Sequence, residues 1–144
     1  MPEVHLVMGV TMFAANLLAG VWGIVAWLTR TPSVFFWHLL RFAQVTIVLQ
    51  IVLGVVLVLS GFEASTDIHY LYGVLPLPLM LVTELMRVGA AQHVVGDIEY
   101  DKLPDDEARS LAMQIFIAET RVMALGCLII AALALRAGTT SGGF

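Results

Sequence analysis

Four long apolar stretches constrain this sequence more than any other feature. A bilayer hydrocarbon core of about 30 Å needs about 20 apolar residues in helical form. Residues 5–28, 34–59, 69–87 and 114–135 meet that requirement, and only 12% of the 144 residues are charged, whereas soluble domains carry about a quarter. We therefore predict one domain, residues 1–144, that is all-α and integral to the membrane, with four transmembrane helices in an antiparallel bundle.

Basic residues are distributed unevenly between the two ends of these spans. Cytoplasmic connections carry an excess of Lys and Arg. We therefore predict a multi-pass protein of the cell (inner or plasma) membrane, with the long loop 88–113 in the cytoplasm and both termini extracytoplasmic. Six of the seven basic residues lie on the side of that loop: Arg30, Arg41, Arg87, Lys102, Arg109 and Arg121.

Two proline-containing segments carry local structural signals. In Leu103-Pro104-Asp105-Asp106-Glu107, the Pro and the acidic residues suit the first turn of a helix. Leu75-Pro76-Leu77-Pro78 lies inside the third span, where Pro removes a backbone donor and clashes with the preceding turn. We therefore predict a helix start near residue 105 and a kink in the third span.

The first and third spans begin with the same pattern, a His followed four residues later by a Gly. His5 precedes Gly9, and His69 precedes Gly73. At about 100° per residue, each His shares a helix face with that Gly, and polar residues in a span normally face the interior. We therefore expect both His side chains to point inward at similar depth. Two deeper residues of the same faces are expected to line the pocket: Asn16 and Met80.

Two inward-facing imidazoles form a ligand pair for a haem iron. Helix bundles are recurrent cofactor sites, and the Gly one turn from each His leaves room for a flat macrocycle. We predict one haem b, with its iron between His5 and His69, and no catalytic residue. A second haem would need His38 and His93, for which an interfacial role is favoured. The alternative for each His is an interfacial anchor, and the alternative for the glycines is helix packing.

The segment from Gln50 to Gly61, QIVLGVVLVLSG, is followed shortly by His69 and resembles one half of the haem A synthase family. The resemblance implies a four-helix bundle that holds a haem between paired His residues on alternate helices near the outer face. On that basis His5 and His69 would be the ligands, with Gln50 and Gly54 lining the pocket. The chain departs from the family because it has one bundle rather than two. More loosely, the architecture resembles small membrane b-type cytochromes.

Charged residues recur at the cytoplasmic end of the spans. Intramembrane ionisable residues are costly and usually paired. We expect Glu84 to pair with Arg87, three residues along the same helix, and Glu119 to meet Arg41. Arg121 points about 160° away from Glu119, so only one of those two can face inward. This inner polar layer fixes the helix register, with a quinone or proton site as the alternative.

The predicted function is electron transfer by a membrane b-type haem protein, as a subunit or partner of a respiratory or photosynthetic complex. The alternatives are a haem-modifying or quinone-reactive enzyme related to haem A synthase, and a haem-free structural membrane subunit. Expected partners are membrane lipid, other membrane subunits or a second copy, and a redox carrier or quinone. A net charge of −4 argues against nucleic acid.

Overall fold

A computed structural model describes residues 2–64, 66–96, 98 and 103–140 of the chain. All regular secondary structure within these residues is helical. The five helices are α1 (Pro2–Leu28), α2 (Val34–Leu59), α3 (Asp67–Val74), α4 (Pro76–Val95) and α5 (Asp105–Thr140).

Four candidate membrane spans follow from these helices. They are α1, α2, the combined segment Asp67–Val95 and α5, each long and apolar enough to cross a bilayer. Large apolar side chains are exposed along all of them, including Leu18, Val52, Leu85 and Ile129. Such surfaces suit lipid rather than water. The fold is therefore that of an all-helical, multi-pass membrane protein.

The third span is interrupted at Leu75, between α3 and α4. Pro76 and Pro78 have no N–H to donate, and Pro76 occupies the first helical position of α4, where a proline is tolerated. The neighbouring amides remain bonded, since Leu75 N–H donates to Leu71 O at 3.1 Å and Leu79 N–H donates to Leu75 O at 3.2 Å. Leu75 itself keeps right-handed helical angles, with φ −53° and ψ −33°, so a helix boundary lies where the prolines predicted a disturbance, and the kink itself stays a prediction.

The loop predicted over residues 88–113 is shorter in the structure. Helix α4 continues to Val95, and α5 begins at Asp105 with an acidic first turn, as the helix-start signal predicted. The polar residues at the start of α5 are helical because carboxylates stabilise a helix N-terminus. Lys102, which contributes to the predicted topology, lies outside the described residues.

Helix α5 packs mainly against α1 and α4, and α1 also packs against α2. One cluster of buried residues joins α1, α2 and α5 through Ala19, Phe36 and Met123. A second cluster joins the same helices nearer the His end, through Met12, Ile47 and Ile130. Small side chains on α1 and α5 allow close helix approach, which drives association where lipid is as apolar as the core.

Gly20 and Gly23 are packing residues. A Cβ at Gly20 would lie 2.6 Å from Leu128 Cδ2, and one at Gly23 would lie 2.6 Å from Phe36 Cε2 and 2.7 Å from Ala124 Cβ. Phe36 is fully buried, so its ring has little freedom to move. The helix-packing alternative therefore accounts for these two glycines of α1.

We expect Gly23→Ala to lower the stability by about 1–3 kcal/mol, because the added methyl overpacks a filled contact. The measurement is the midpoint of thermal unfolding in a neutral detergent. Gly89→Ala is the matched control, since a Cβ there meets nothing within 4 Å. Equal midpoints for the two variants would contradict the packing role of Gly23.

Candidate functional site

A cavity of about 600 Å³ lies at one end of the four spans. It is lined by the first turns of α1 and α3, the last turns of α2 and the end of α5. Ligand pockets usually measure about 300–1,000 Å³, so the space suits a sizeable small molecule. Most of the lining is aliphatic, and its polar side chains are His5, Gln50, His69 and Tyr70, with Glu3 and Glu63.

His5 and His69 meet across this cavity. Their ring centroids are 6.2 Å apart and the ring planes are inclined by 64°. Two imidazoles on opposite sides of one metal ion have centroids about 6 Å apart, because each metal–nitrogen bond is about 2 Å and each nitrogen lies about 1 Å from its ring centre. Two rings in direct edge-to-face contact have a similar distance between their centroids. The hydrogen bonds of the two rings are therefore needed to tell a metal-ligand pair from a simple ring contact.

The tautomer of His69 is set by α5. Its Nδ1 lies 3.0 Å from the carbonyl oxygen of Ala137. A carbonyl can only accept, so Nδ1 carries a proton, and in the neutral ring Nε2 is then the nitrogen with the free lone pair. Metal-binding His residues use this arrangement, in which the second nitrogen donates to a backbone carbonyl or a carboxylate and fixes the ring orientation. His69 therefore has the hydrogen bonding of a metal ligand.

His5 is held by Gln50. The two Nε2 atoms lie 3.2 Å apart, while Nδ1 of His5 and Oε1 of Gln50 are buried and have no hydrogen-bond partner among the described residues. If the amide donates to His5, Nδ1 carries the proton. If the Gln50 amide is instead rotated so that its oxygen accepts from the Nε2–H of His5, then Nδ1 of His5 keeps the lone pair. A metal bound at Nε2 would replace the Gln50 contact, and one bound at Nδ1 would retain it.

The glycines of the site have three different surroundings. A Cβ at Gly54 would lie 3.3 Å from Cε1 of His5, and one at Gly9 would lie 3.1 Å from Nε2 of Gln50. Gly54 therefore makes room for the His5 ring, and Gly9 makes room for Gln50. All three glycines line the cavity, and a Cβ at Gly73 would meet no described atom within 4 Å.

Asn16 and Met80 do not line the cavity. Asn16 is buried and donates to Met12 O at 2.9 Å, and Met80 packs against the cluster around Ile47. Helical periodicity gives the direction of a side chain but not its depth. Both residues are eleven positions beyond their His, about 16 Å along a helix at 1.5 Å per residue, and the break at Leu75 also separates Met80 from His69.

His38 and His93 lie at the other end of the spans. Both are exposed, at the start of α2 and near the end of α4. Neither belongs to the described lining of the His cavity or to that of a smaller cavity at their own end of the spans. Their placement agrees with the interfacial role favoured from the sequence.

Sequence reasoning missed four residues that contribute to the site. The Ala137 carbonyl has no sequence signal, because any residue supplies a backbone oxygen. Tyr70 accepts from the Ala64 N–H at 2.9 Å and so ties the α2–α3 connection to α3. Glu3 and Glu63 are exposed lining residues, and no motif in the sequence marks either of them.

The inner polar layer is a connected network centred on Glu84. The carboxylate of Glu84 accepts from Arg41 Nη1 at 2.9 Å, from Gln44 Nε2 at 2.6 Å and from Arg87 Nε at 2.8 Å. The predicted Glu84–Arg87 pair is confirmed. The predicted Glu119–Arg41 contact is wrong, because Glu119 accepts from Arg87 Nη1 at 2.8 Å. Helix α5 places Glu119 beside α4 rather than α2.

Comparison of the chain with protein family models, with curated proteins and with solved structures gave no match. The resemblance to haem A synthase therefore stays a prediction. Within the described residues, no group of three or more His, Cys, Asp or Glu side chains is placed to hold a metal ion. A metal at this site would have two imidazoles as its protein ligands and would need its other ligands from elsewhere.

Proposed function

We propose that the cavity binds one haem b, with His5 and His69 as axial ligands, and that the protein transfers electrons within or beside a membrane complex. The observation that carries this proposal is the His pair itself, 6.2 Å between ring centroids, with the Nδ1 proton of His69 directed to Ala137 O. Bound haem supplies one-electron chemistry, and axial ligands and burial tune its potential.

The donor set suits a haem better than a bare metal ion. A macrocycle fills four coordination positions, so only two protein ligands are needed, and two imidazoles are what the cavity offers. The aliphatic lining from α1, α2 and α5 suits the apolar faces and edges of such a group. Among the described residues, the lining includes two carboxylates, Glu3 and Glu63, but no Lys or Arg. We therefore expect the carboxylates of a bound haem to be solvated by water rather than paired with a basic side chain.

The proposed membrane arrangement is an antiparallel bundle with the His cavity near the outer face and both termini extracytoplasmic. Support comes from the distribution of charge. Arg30 follows the end of α1 that is remote from His5, and Arg109 lies near the start of α5, remote from Ala137. Basic residues favour the cytoplasmic side. The haem would then exchange electrons with an extracytoplasmic carrier.

A quinone is the second candidate ligand of the same cavity. The observation that favours it is the pair of buried polar atoms without a partner, Nδ1 of His5 and Oε1 of Gln50. Unpaired buried polar groups are costly, and a hydrogen-bonding ligand would satisfy them. This candidate corresponds to the quinone-reactive alternative drawn from the sequence.

Titration of the haem-free chain with ferric haem b in detergent separates the two candidates. We expect saturation at one haem per chain, with the spectrum of a six-coordinate low-spin iron. The His38→Ala/His93→Ala double variant is the matched control and should bind the same amount. Saturable quinone binding without saturable haem binding would favour the second candidate. If neither ligand binds, both are wrong.

A further inference from the structure

A second cavity brings two arginines together at the end of the spans remote from His5 and His69. It measures about 320 Å³ and is lined by Arg30, Val94, Gln114, Ile117, Ala118 and Arg121. The polar side chains are those of Arg30, Arg121 and Gln114, and the aliphatic ones come from α4 and α5. No described acidic residue belongs to the lining. The cavity therefore combines concentrated positive charge with apolar surface.

Arg121 lies inside the span formed by α5 and has an exposed side chain. Glu119, two residues earlier, is directed to Arg87 and does not neutralise it. Among the described residues no side chain forms an ion pair with Arg121 or with Arg30. A cation within a span is costly unless it reaches the interface or an anion. An anionic ligand would lower that cost for both arginines.

Arg30 has a backbone conformation that normally selects glycine. Its φ is 52°, and it follows α1 in a Schellman motif in which Thr31 N–H donates to Ala26 O at 3.0 Å and Arg30 N–H donates to Trp27 O at 3.2 Å. Glycine is the usual residue at this position because the left-handed conformation strains other residues. Here the position carries a guanidinium that lines the cavity.

We propose that Arg30 and Arg121 bind the phosphate of an anionic phospholipid on the side of the membrane that carries most of the basic residues. Arginine binds phosphate oxygens through paired N–H donors. Val94, Ile117 and Ala118 provide the apolar surface for the adjoining glycerol and acyl chains. Basic pockets between transmembrane helices are recurrent headgroup sites. This proposal concerns residues outside the His cavity and does not depend on haem binding.

The test is the affinity of the purified full-length chain, in neutral detergent, for dioleoyl phosphatidylglycerol and for dioleoyl phosphatidylcholine, measured by native mass spectrometry. We expect the wild-type chain to prefer phosphatidylglycerol. Arg30→Gly and Arg121→Gln should each weaken its binding about fivefold, which corresponds to one interfacial cation. Arg30→Gly is informative because glycine relieves the backbone strain, so its unfolding temperature without lipid should equal or exceed that of the wild type.

Arg109→Gln is the matched control, since Arg109 is an exposed residue of α5 outside the cavity lining. It should leave the lipid preference unchanged. The proposal is overturned if the wild-type chain shows no preference, or if Arg109→Gln weakens binding as much as Arg121→Gln. Inorganic phosphate is the remaining probe. If it stabilises the wild-type chain as strongly as phosphatidylglycerol does, the ligand is free phosphate and the lipid proposal is wrong.

Discussion

His69→Ala is expected to lower the affinity for haem b at least about tenfold and to abolish the six-coordinate low-spin spectrum. The substitution removes one proposed haem ligand and its hydrogen bond to Ala137, while α3 keeps a good helix former. His5→Ala should have a similar effect, because the two rings lie on opposite sides of the proposed iron position. The measurement is the haem content and optical spectrum of each purified variant.

Added imidazole tests whether the two variants lose haem binding because a ligand is missing. The removed side chain leaves a space beside the cavity, and free imidazole at millimolar concentration is expected to restore the low-spin spectrum of either variant. His93→Ala is the control, since His93 is exposed near the end of α4, and it should behave as the wild type. An unchanged haem content in His5→Ala and His69→Ala would show that the ligands lie elsewhere.

Glu84→Gln is expected to destabilise the protein by roughly 3 kcal/mol, the lower end of the range for breaking a buried ion pair, because the Glu84 side chain remains 22% exposed. The carboxylate receives hydrogen bonds from three side chains on two helices, so its loss leaves Arg41 without its carboxylate partner and weakens the α2–α4 contact. The measurement is chemical unfolding in detergent followed by the fluorescence of the tryptophans.

Glu107→Gln is the control for the loss of one negative charge, and it should cost at most about 1 kcal/mol at the exposed start of α5. Double-mutant cycles then test the corrected pairing. We expect coupling between Arg87 and Glu119, whose atoms lie 2.8 Å apart, and coupling near zero between Arg41 and Glu119. The reverse pattern would contradict the arrangement of α4 against α5.

Features that depend on local sequence were predictable. The four spans follow from apolar length, the break at Leu75 from the chemistry of Pro76, and the start of α5 from its acidic first turn. The Glu84–Arg87 pair was predictable because residues three apart on a helix are neighbours. The placement of His5 and His69 at one end followed from the repeated pattern and from the alternation of the helices.

Features that depend on the rotation and depth of one helix against another were not predictable. Glu119 pairs with Arg87 rather than Arg41 because α5 packs beside α4. Asn16 shares the face of His5 but lies too deep to reach the cavity. Gly9 and Gly54 line the His cavity as expected, but each also makes room for a protein side chain, Gln50 and the His5 ring respectively. A helical periodicity cannot specify which neighbour fills the space beside a glycine.

The two ends of the structure differ in chemistry, and the inner polar layer lies on the side of the arginine-lined cavity. Among the described residues, the lining of the His cavity includes carboxylates but no Lys or Arg, and the other cavity has two arginines. The network around Glu84 fixes α2, α4 and α5 relative to one another. By holding these helices in register, the network would also hold the ends that carry His5 and His69 in place. This would matter for a metal site, because metal affinity depends on how the ligating side chains are oriented.

The most direct test of the central claim is a dithionite-reduced minus oxidised optical spectrum of the wild-type chain, purified from cells supplied with ample haem. The account predicts a sharp b-type α-band at a stoichiometry of one haem per chain, absent from the His5→Ala/His69→Ala double variant. A wild-type chain that folds as a four-span membrane protein but shows no such band would contradict it, and so would a band that survives in the double variant.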